Sequence, residues 1–194
     1  YFCDNAAGIQ VVGCPKTIDG DLKSEAIEAS FGFDTACKVF SELIGNIARD
    51  SLSAGKYWHF IRLMGRSASH IALECALQTR PNVTLISEEV AARGDTLTDI
   101  TRQIAGVVAE RAANGDNFGV ALIPEGLIEF IPEMNQLIGE LNDILARAPN
   151  AFDEVDTYTD RDALAGLGLT DSSVSAWLTL PPMIRRQLVI DRDP

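Results

Sequence analysis

Ile9-Gln10-Val11-Val12-Gly13-Cys14-Pro15-Lys16-Thr17-Ile18-Asp19-Gly20-Asp21-Leu22 is the stretch around which the rest of the chain is arranged. Its first half is an apolar, β-branched run stopped by Pro15 and then Gly20, the pattern of a buried strand ending in a tight loop. The loop holds one cation, Lys16, and two carboxylates, Asp19 and Asp21, with a single glycine between them. That spacing lets both carboxylates point into one cavity, where one can serve as a general base. By spacing alone the same residues also read as an ordinary Asp-Gly turn with solvated carboxylates. Their surroundings have to decide.

Around this stretch, strand and helix patterns alternate. Residues 1–8 read as the end of a helix, and residues 9–14 as the first strand. Ala36, Val39, Phe40, Leu43 and Ile47 recur at helical spacing within residues 33–52, with Ser30 or Asp34 placed to cap the start. After Ala54-Gly55, the aromatic and branched run Tyr57-Trp58-His59-Phe60-Ile61-Arg62-Leu63 reads as a second strand that runs into Met64-Gly65-Arg66. A helix is expected over residues 67–78 and a third strand over 83–86. The acidic pair Glu88-Glu89 and a helix through Leu97, Ile100, Ile104 and Val108 follow, closed by Asn114-Gly115. Residues 118–123 read as a fourth strand, broken by Pro124-Glu125-Gly126, before a helix through Met134, Leu137, Leu141 and Leu145.

Alternation of this kind predicts an α/β fold, a three-layer α/β/α arrangement with a mainly parallel sheet covered on both faces. Ligands of such sheets bind beyond the carboxyl ends of the strands. Three of the four expected strands run into loops bearing both a glycine and a charged residue, at 16–21, 64–66 and 124–126, so these loops should converge on one crevice. This topology favours the functional reading of Asp19. Gly65 lets the backbone approach a ligand, Arg66 offers a planar fork of donors, and Ser67 is expected to open a helix whose free N–H groups attract an anion. Together they suit a phosphate. Glu125 can accept hydrogen bonds from sugar hydroxyls or stand as a solvated turn carboxylate. Lys16 can neutralise charge on a leaving group. His59 and His70 read as packing or surface residues, and Glu88-Glu89 as a helix-start charge pair. Residues 150–170, acidic and weakly periodic, and the pattern after Pro181-Pro182 read as a helical insertion or lid.

Composition narrows the function classes. The chain has 194 residues, 46% of them hydrophobic, which is ample for a packed core. A formal charge of -12 argues against nucleic acid as the main partner. Anionic metabolites then need local cationic pockets. Cysteines at 3, 14, 37 and 75 show no C-x-x-C spacing, which argues against disulfides and zinc and fits a reducing cytoplasm. No stretch reaches the roughly 20 apolar residues of a membrane span, and no export signal is visible. Beginning at Tyr1 and ending at Asp191-Arg192-Asp193-Pro194, the chain reads as an internal fragment.

The run Pro15 through Leu22, the stretch Ser30-Phe31-Gly32-Phe33-Asp34-Thr35-Ala36, the stretch Tyr57 through Ser67, and Pro124-Glu125-Gly126 resemble the phosphofructokinase family in content, order and spacing. Lys at 16 and Gly at 20 resemble its diphosphate-dependent branch, in particular the long-chain group. The likeness covers most of residues 8–134, and residues 182–194 are similar to that group's insertion. The resemblance implies reversible phosphoryl transfer from diphosphate to the C1 hydroxyl of fructose 6-phosphate, giving fructose 1,6-bisphosphate and phosphate. Asp19 would be the base, with Thr17 and Ile18 in the same substrate-contacting loop, Asp21 beside the magnesium diphosphate, and Lys16 stabilising the transition state. Met64, Gly65 and Arg66 would hold fructose 6-phosphate, and Glu125 the sugar. Lys56 and Tyr57 match positions that reach a partner subunit's substrate, implying a homodimer or larger oligomer with shared active sites.

By the same resemblance, the Gly-Gly-Asp loop that supplies the main Mg2+ and diphosphate site is expected before Tyr1, and no metal ligand is assigned within the chain. Residues 1–30 then correspond to the end of a phosphoryl-donor lobe with the catalytic loop, 31–133 to a sugar-phosphate lobe, and 134–194 to a truncated insertion or lid. An ATP-dependent 6-phosphofructokinase and a non-catalytic regulatory subunit of the same fold are the alternatives. Neither nucleic acid nor a membrane is an expected partner.

Overall fold

In the computed structural model, which describes residues 12–22, 24–153 and 159–190, a long helix, α1 (Phe33–Ala54), leads into the first strand, β1 (Tyr57–Leu63). Then come α2 (His70–Thr79), β2 (Val83–Thr84), α3 (Ser87–Arg93), α4 (Leu97–Ala113) and β3 (Phe118–Pro124). The chain continues through α5 (Leu127–Phe130), α6 (Pro132–Arg147), α7 (Arg161–Leu167), α8 (Asp171–Thr179) and α9 (Pro182–Ile190). The described strands form one sheet in the order β1-β3-β2, and both pairings are parallel. Tyr57 stands opposite Phe118 and Leu63 opposite Pro124, so β1 and β3 end at the same level.

Side chains of β3 alternate between two apolar layers, as a strand covered on both faces requires. Val120 and Leu122 pack with Cys37 and Ile44 of α1 and with Ile71, Ala72 and Cys75 of α2. Ala121 and Ile123 face the other layer, where Ile100 of α4, Met134, Leu137 and Leu141 of α6 and Trp177 of α8 are buried. This is the α/β fold with both sheet faces covered. Leu137 and Leu141 are fully buried, and burying a side chain of that size contributes about 1.5–3 kcal/mol, which holds α6 on the sheet. Thr170, the N-cap of α8, donates both its N–H and its hydroxyl to Glu140 of α6, at 2.9 and 2.8 Å. Buried Arg185 of α9 donates to the carbonyls of Leu178 and Leu180 at the end of α8. Among the described residues no helix is long and apolar enough to cross a membrane.

Several sequence expectations change. The helix end at 1–8 and residues 9–11 of the expected first strand lie outside the described residues. Residues 12–14 are not in a strand, and Val12 is 83% exposed. A β-branched run becomes a strand only where an edge supplies its ladder, and no described residue pairs with 12–14. Neither Ser30 nor Asp34 caps α1: the N-cap is Gly32 without a side-chain bond, and Asp34, inside the first turn, pairs with Lys38 at 2.7 Å. The third strand shrinks to Val83–Thr84, although the Leu85 N–H still donates to the Leu122 carbonyl at 3.0 Å. After it stand two helices, α3 and α4, because Gly94 closes the first and a capping box of Thr96 and Asp99 opens the second. The helix expected over 67–78 starts at His70. The reason lies in the site.

Candidate active site

The carboxyl ends of β1 and β3 are joined beyond the strands. The Glu125 N–H donates to the Leu63 carbonyl at 2.8 Å, and the Gly126 N–H to the Gly65 carbonyl at 3.0 Å. The ladder therefore continues into the loops and draws Met64-Gly65-Arg66 against Glu125-Gly126. Two glycines make this approach possible. Gly65 has φ +126°, a region closed to side chains, and a Cβ on Gly126 would stand 2.0 Å from the Arg66 carbonyl oxygen.

These loops open onto a cavity of about 680 Å³ lined by Arg62, Arg66, Glu125 and Glu129 and closed on one side by Ile184 and Gln187 of α9. Two guanidinium groups and two carboxylates in one cavity suit a ligand that carries both an anionic group and hydroxyls. Sequence reading passed over Arg62 and Glu129. A charged residue at the carboxyl end of an otherwise apolar strand was the signal available for Arg62.

The acidic loop sits on the other flank of the same segment. The Ser67 hydroxyl donates to Asp21 Oδ2 at 2.5 Å, and the Asp19 N–H donates to the Thr17 hydroxyl at 3.2 Å. A Cβ on Gly20 would meet the Phe33 ring at 3.4 Å and the His70 Cβ at 3.6 Å, so the turn rests on the starts of α1 and α2. Ile18 packs at Gly32, where a Cβ would lie 3.2 Å from its Cγ2. Thr17, Ile18 and Asp19 are half-buried, whereas Lys16 and Asp21 are exposed. The three glycine-bearing loops at 16–21, 64–66 and 124–126 thus meet around residues 64–67.

Ser67 does not open α2. The N-terminal N–H of that helix, on Ser69, is taken at 2.9 Å by the Glu88 carboxylate, and the buried Ser69 hydroxyl accepts the Ser87 N–H at 2.9 Å. A side-chain anion already occupies the helix start, so Ser67 offers a hydroxyl rather than the free N–H groups expected there. Burial pushes the Glu88 carboxyl up, but hydrogen bonds from the Ser69 and Glu88 N–H groups and the Ser69 hydroxyl, with the charge of His70, hold it below the usual glutamate value. Its role is to join the starts of α2 and α3.

Lys56 and Tyr57 are not part of this crevice. They stand at the opposite end of β1, about 20 Å from Leu63 at the usual rise per strand residue. Tyr57 is 62% exposed with φ 77°, and the Lys56 ammonium lies 5.1 Å from the centre of its ring. Among the described residues no cluster of three or more His, Cys, Asp or Glu side chains is arranged to hold a metal ion. Cys37 and Cys75 are buried free thiols, and burial, with the neighbouring Cys75 and Glu74, pushes Cys37 up to about 12.

Comparison with known proteins gives the same outline. The Phosphofructokinase family model matches residues 2–155. The chain is 57% identical over all 194 residues to pyrophosphate–fructose 6-phosphate 1-phosphotransferase of Treponema pallidum (strain Nichols), covering 34% of that protein. It is 55% identical over 194 residues to the Porphyromonas gingivalis protein of the same name, covering 35% of it. To the subunit beta of that name from Solanum tuberosum it is 56% identical over 185 residues, 95% of this chain and 31% of that protein. The chain thus spans about a third of the length of the curated relatives it matches. With the joined strand-end loops and a family match over most of its residues, the chain belongs to the phosphofructokinase family.

Proposed function

We propose that the full-length protein catalyses reversible phosphoryl transfer from diphosphate to the C1 hydroxyl of fructose 6-phosphate. The observation that carries this reading is the junction at residues 64–67, where Arg66 and Glu125 face one cavity while Ser67 binds Asp21 of the acidic loop. Sugar phosphate and phosphoryl donor would thus meet across a single segment. The names of the relatives agree.

Asp19 acts as the base that takes the proton from the C1 hydroxyl, a role worth a factor on the order of 100 to 10,000. Thr17 and Ile18 shape the loop around it. Met64, Gly65 and Arg66 seat the 6-phosphate, Glu125 accepts from the sugar hydroxyls, and Lys16 stabilises charge on the departing phosphate. Mg2+ fits the donor set present, because it takes one or two carboxylates together with phosphate oxygens. Asp21 would lie beside the magnesium diphosphate, where the ion would supply charge neutralisation, and the main metal ligand is expected in the rest of the protein.

Lys56 and Tyr57, at the far end of β1, serve the active site of a second subunit, which makes the enzyme a homodimer or larger. Relatives named as subunits alpha and beta in Solanum tuberosum support assembly. The lobes are divided at 1–30, 31–133 and 134–194, with α9 of the last segment bordering the sugar-phosphate cavity. A reducing cytoplasm suits the free buried thiols. The test is a donor assay on the full-length protein and its Lys16→Gly variant. Turnover is expected with diphosphate and not with ATP, and Lys16→Gly is expected to lose roughly 100-fold in kcat, the scale of one lost electrostatic donor. Turnover with ATP alone would move the assignment to the nucleotide-dependent enzyme.

A further inference from the structure

Ser67 and Asp21 are 46 positions apart, yet their side chains share a hydrogen bond at 2.5 Å. Ser67 directly follows Arg66, and the segment that carries both is braced from two sides. On one side Gly126 donates to the Gly65 carbonyl at 3.0 Å and stands close against the Arg66 backbone. On the other, Ser69 is tied to Ser87 and Glu88 at 2.9 Å each. Among the described residues the acidic loop has no such bracing: its polar ties are the Asp19–Thr17 bond, internal to the loop, and the Ser67–Asp21 bond. Its remaining support is apolar, from Phe33, Gly32 and the His70 Cβ, and apolar contact does not fix the direction of a carboxylate.

We propose that Ser67 is a positioning residue that couples the two substrates. It relays the seating of the sugar phosphate on Arg66 to the Asp21 carboxylate on the donor side. The inference rests on the proposed function. An anion on Arg66 restrains residues 64–67, and through the Ser67 hydroxyl it restrains Asp21, so that the second substrate meets a loop already ordered. Reciprocity requires the donor to tighten sugar-phosphate binding by the same factor.

Calorimetric titration of the full-length protein with methylenediphosphonate, a diphosphate analogue that cannot transfer its phosphoryl group, tests this with and without fructose 6-phosphate. In the unaltered protein the sugar phosphate should tighten analogue binding by about fivefold or more, the low end of ordinary coupling. In Ser67→Ala that factor should fall below about twofold and kcat should drop roughly tenfold, the scale of one lost hydrogen bond to a charged group. The affinity for fructose 6-phosphate measured without donor and the melting temperature should stay close to their original values, its KM at saturating diphosphate should rise by the lost coupling factor, and Ser67→Thr, which keeps the hydroxyl, should restore both coupling and kcat. A coupling factor in Ser67→Ala equal to that of the unaltered protein overturns the inference, as does a Ser67→Thr variant as impaired as Ser67→Ala, or an absence of coupling in the unaltered protein. Those results leave the proposed function standing. Absence of diphosphate-dependent turnover in the unaltered protein overturns the proposed function, and the inference with it.

Discussion

Gly126 and Arg66 touch backbone to backbone: a Cβ on Gly126 would lie 2.0 Å from the Arg66 carbonyl oxygen and 2.9 Å from its Cα. The contact is what lets the loop after β3 lie against the loop after β1. Gly126→Ala must push these loops apart, at a cost of about 3 kcal/mol, the upper part of the range for overpacking. Gly139, inside α6 with nothing near its would-be Cβ, is the control, and Gly139→Ala should be neutral or stabilise by about 0.5–1 kcal/mol. Urea denaturation of both variants measures the difference. Equal midpoints would remove the close approach from the account of the site.

Asp19→Ala should lower kcat by about 100-fold or more with little change in the KM for fructose 6-phosphate, since base chemistry acts in the transition state. Steady-state kinetics with diphosphate as donor gives both constants. Unchanged turnover would sink the base assignment.

Arg66→Ala should act in the opposite way. A guanidinium on a phosphate remote from the reacting hydroxyl binds ground state and transition state alike, so KM for the sugar phosphate rises while kcat changes little. A variant normal in both constants would take Arg66 out of the site.

Glu88 ties stability to pH. Its folded-state pKa lies below the ordinary glutamate value because the Ser69 and Glu88 N–H groups, the Ser69 hydroxyl and the His70 charge outweigh the upward push of burial. A lowered folded-state pKa stabilises fully above the unfolded-state value, and the contribution is lost as pH falls through the folded-state value. Glu88→Gln should therefore be less stable at neutral pH, by a modest amount because the carboxylate is exposed. The gap to the unaltered protein should close on acidification through and below the ordinary glutamate range. Denaturation at a series of pH values reads it, and a gap constant across that range would refute the role.

Local pattern by itself determined the alternation of helices and strands, the full extent of β1 and the apolar face of α6, whereas on α4 only Ile100 of the expected face is buried and Leu97 is exposed. Residue period reports which side of an element is buried, and that information is local. The glycine-bearing loops at the strand ends were legible for the same reason, since Gly65 and Gly126 interrupt apolar runs. Tertiary structure alone decided where α2 begins, because the Ser69 N–H is claimed by Glu88, 19 positions away. It also decided that Ser67 meets Asp21 rather than opening a helix, that Arg62 and Glu129 share the cavity of Arg66, and that α9 borders it. Those relations depend on the strand order β1-β3-β2. That order sets the last strand between the first two, and long-range burial and pairing fix it where no local period can.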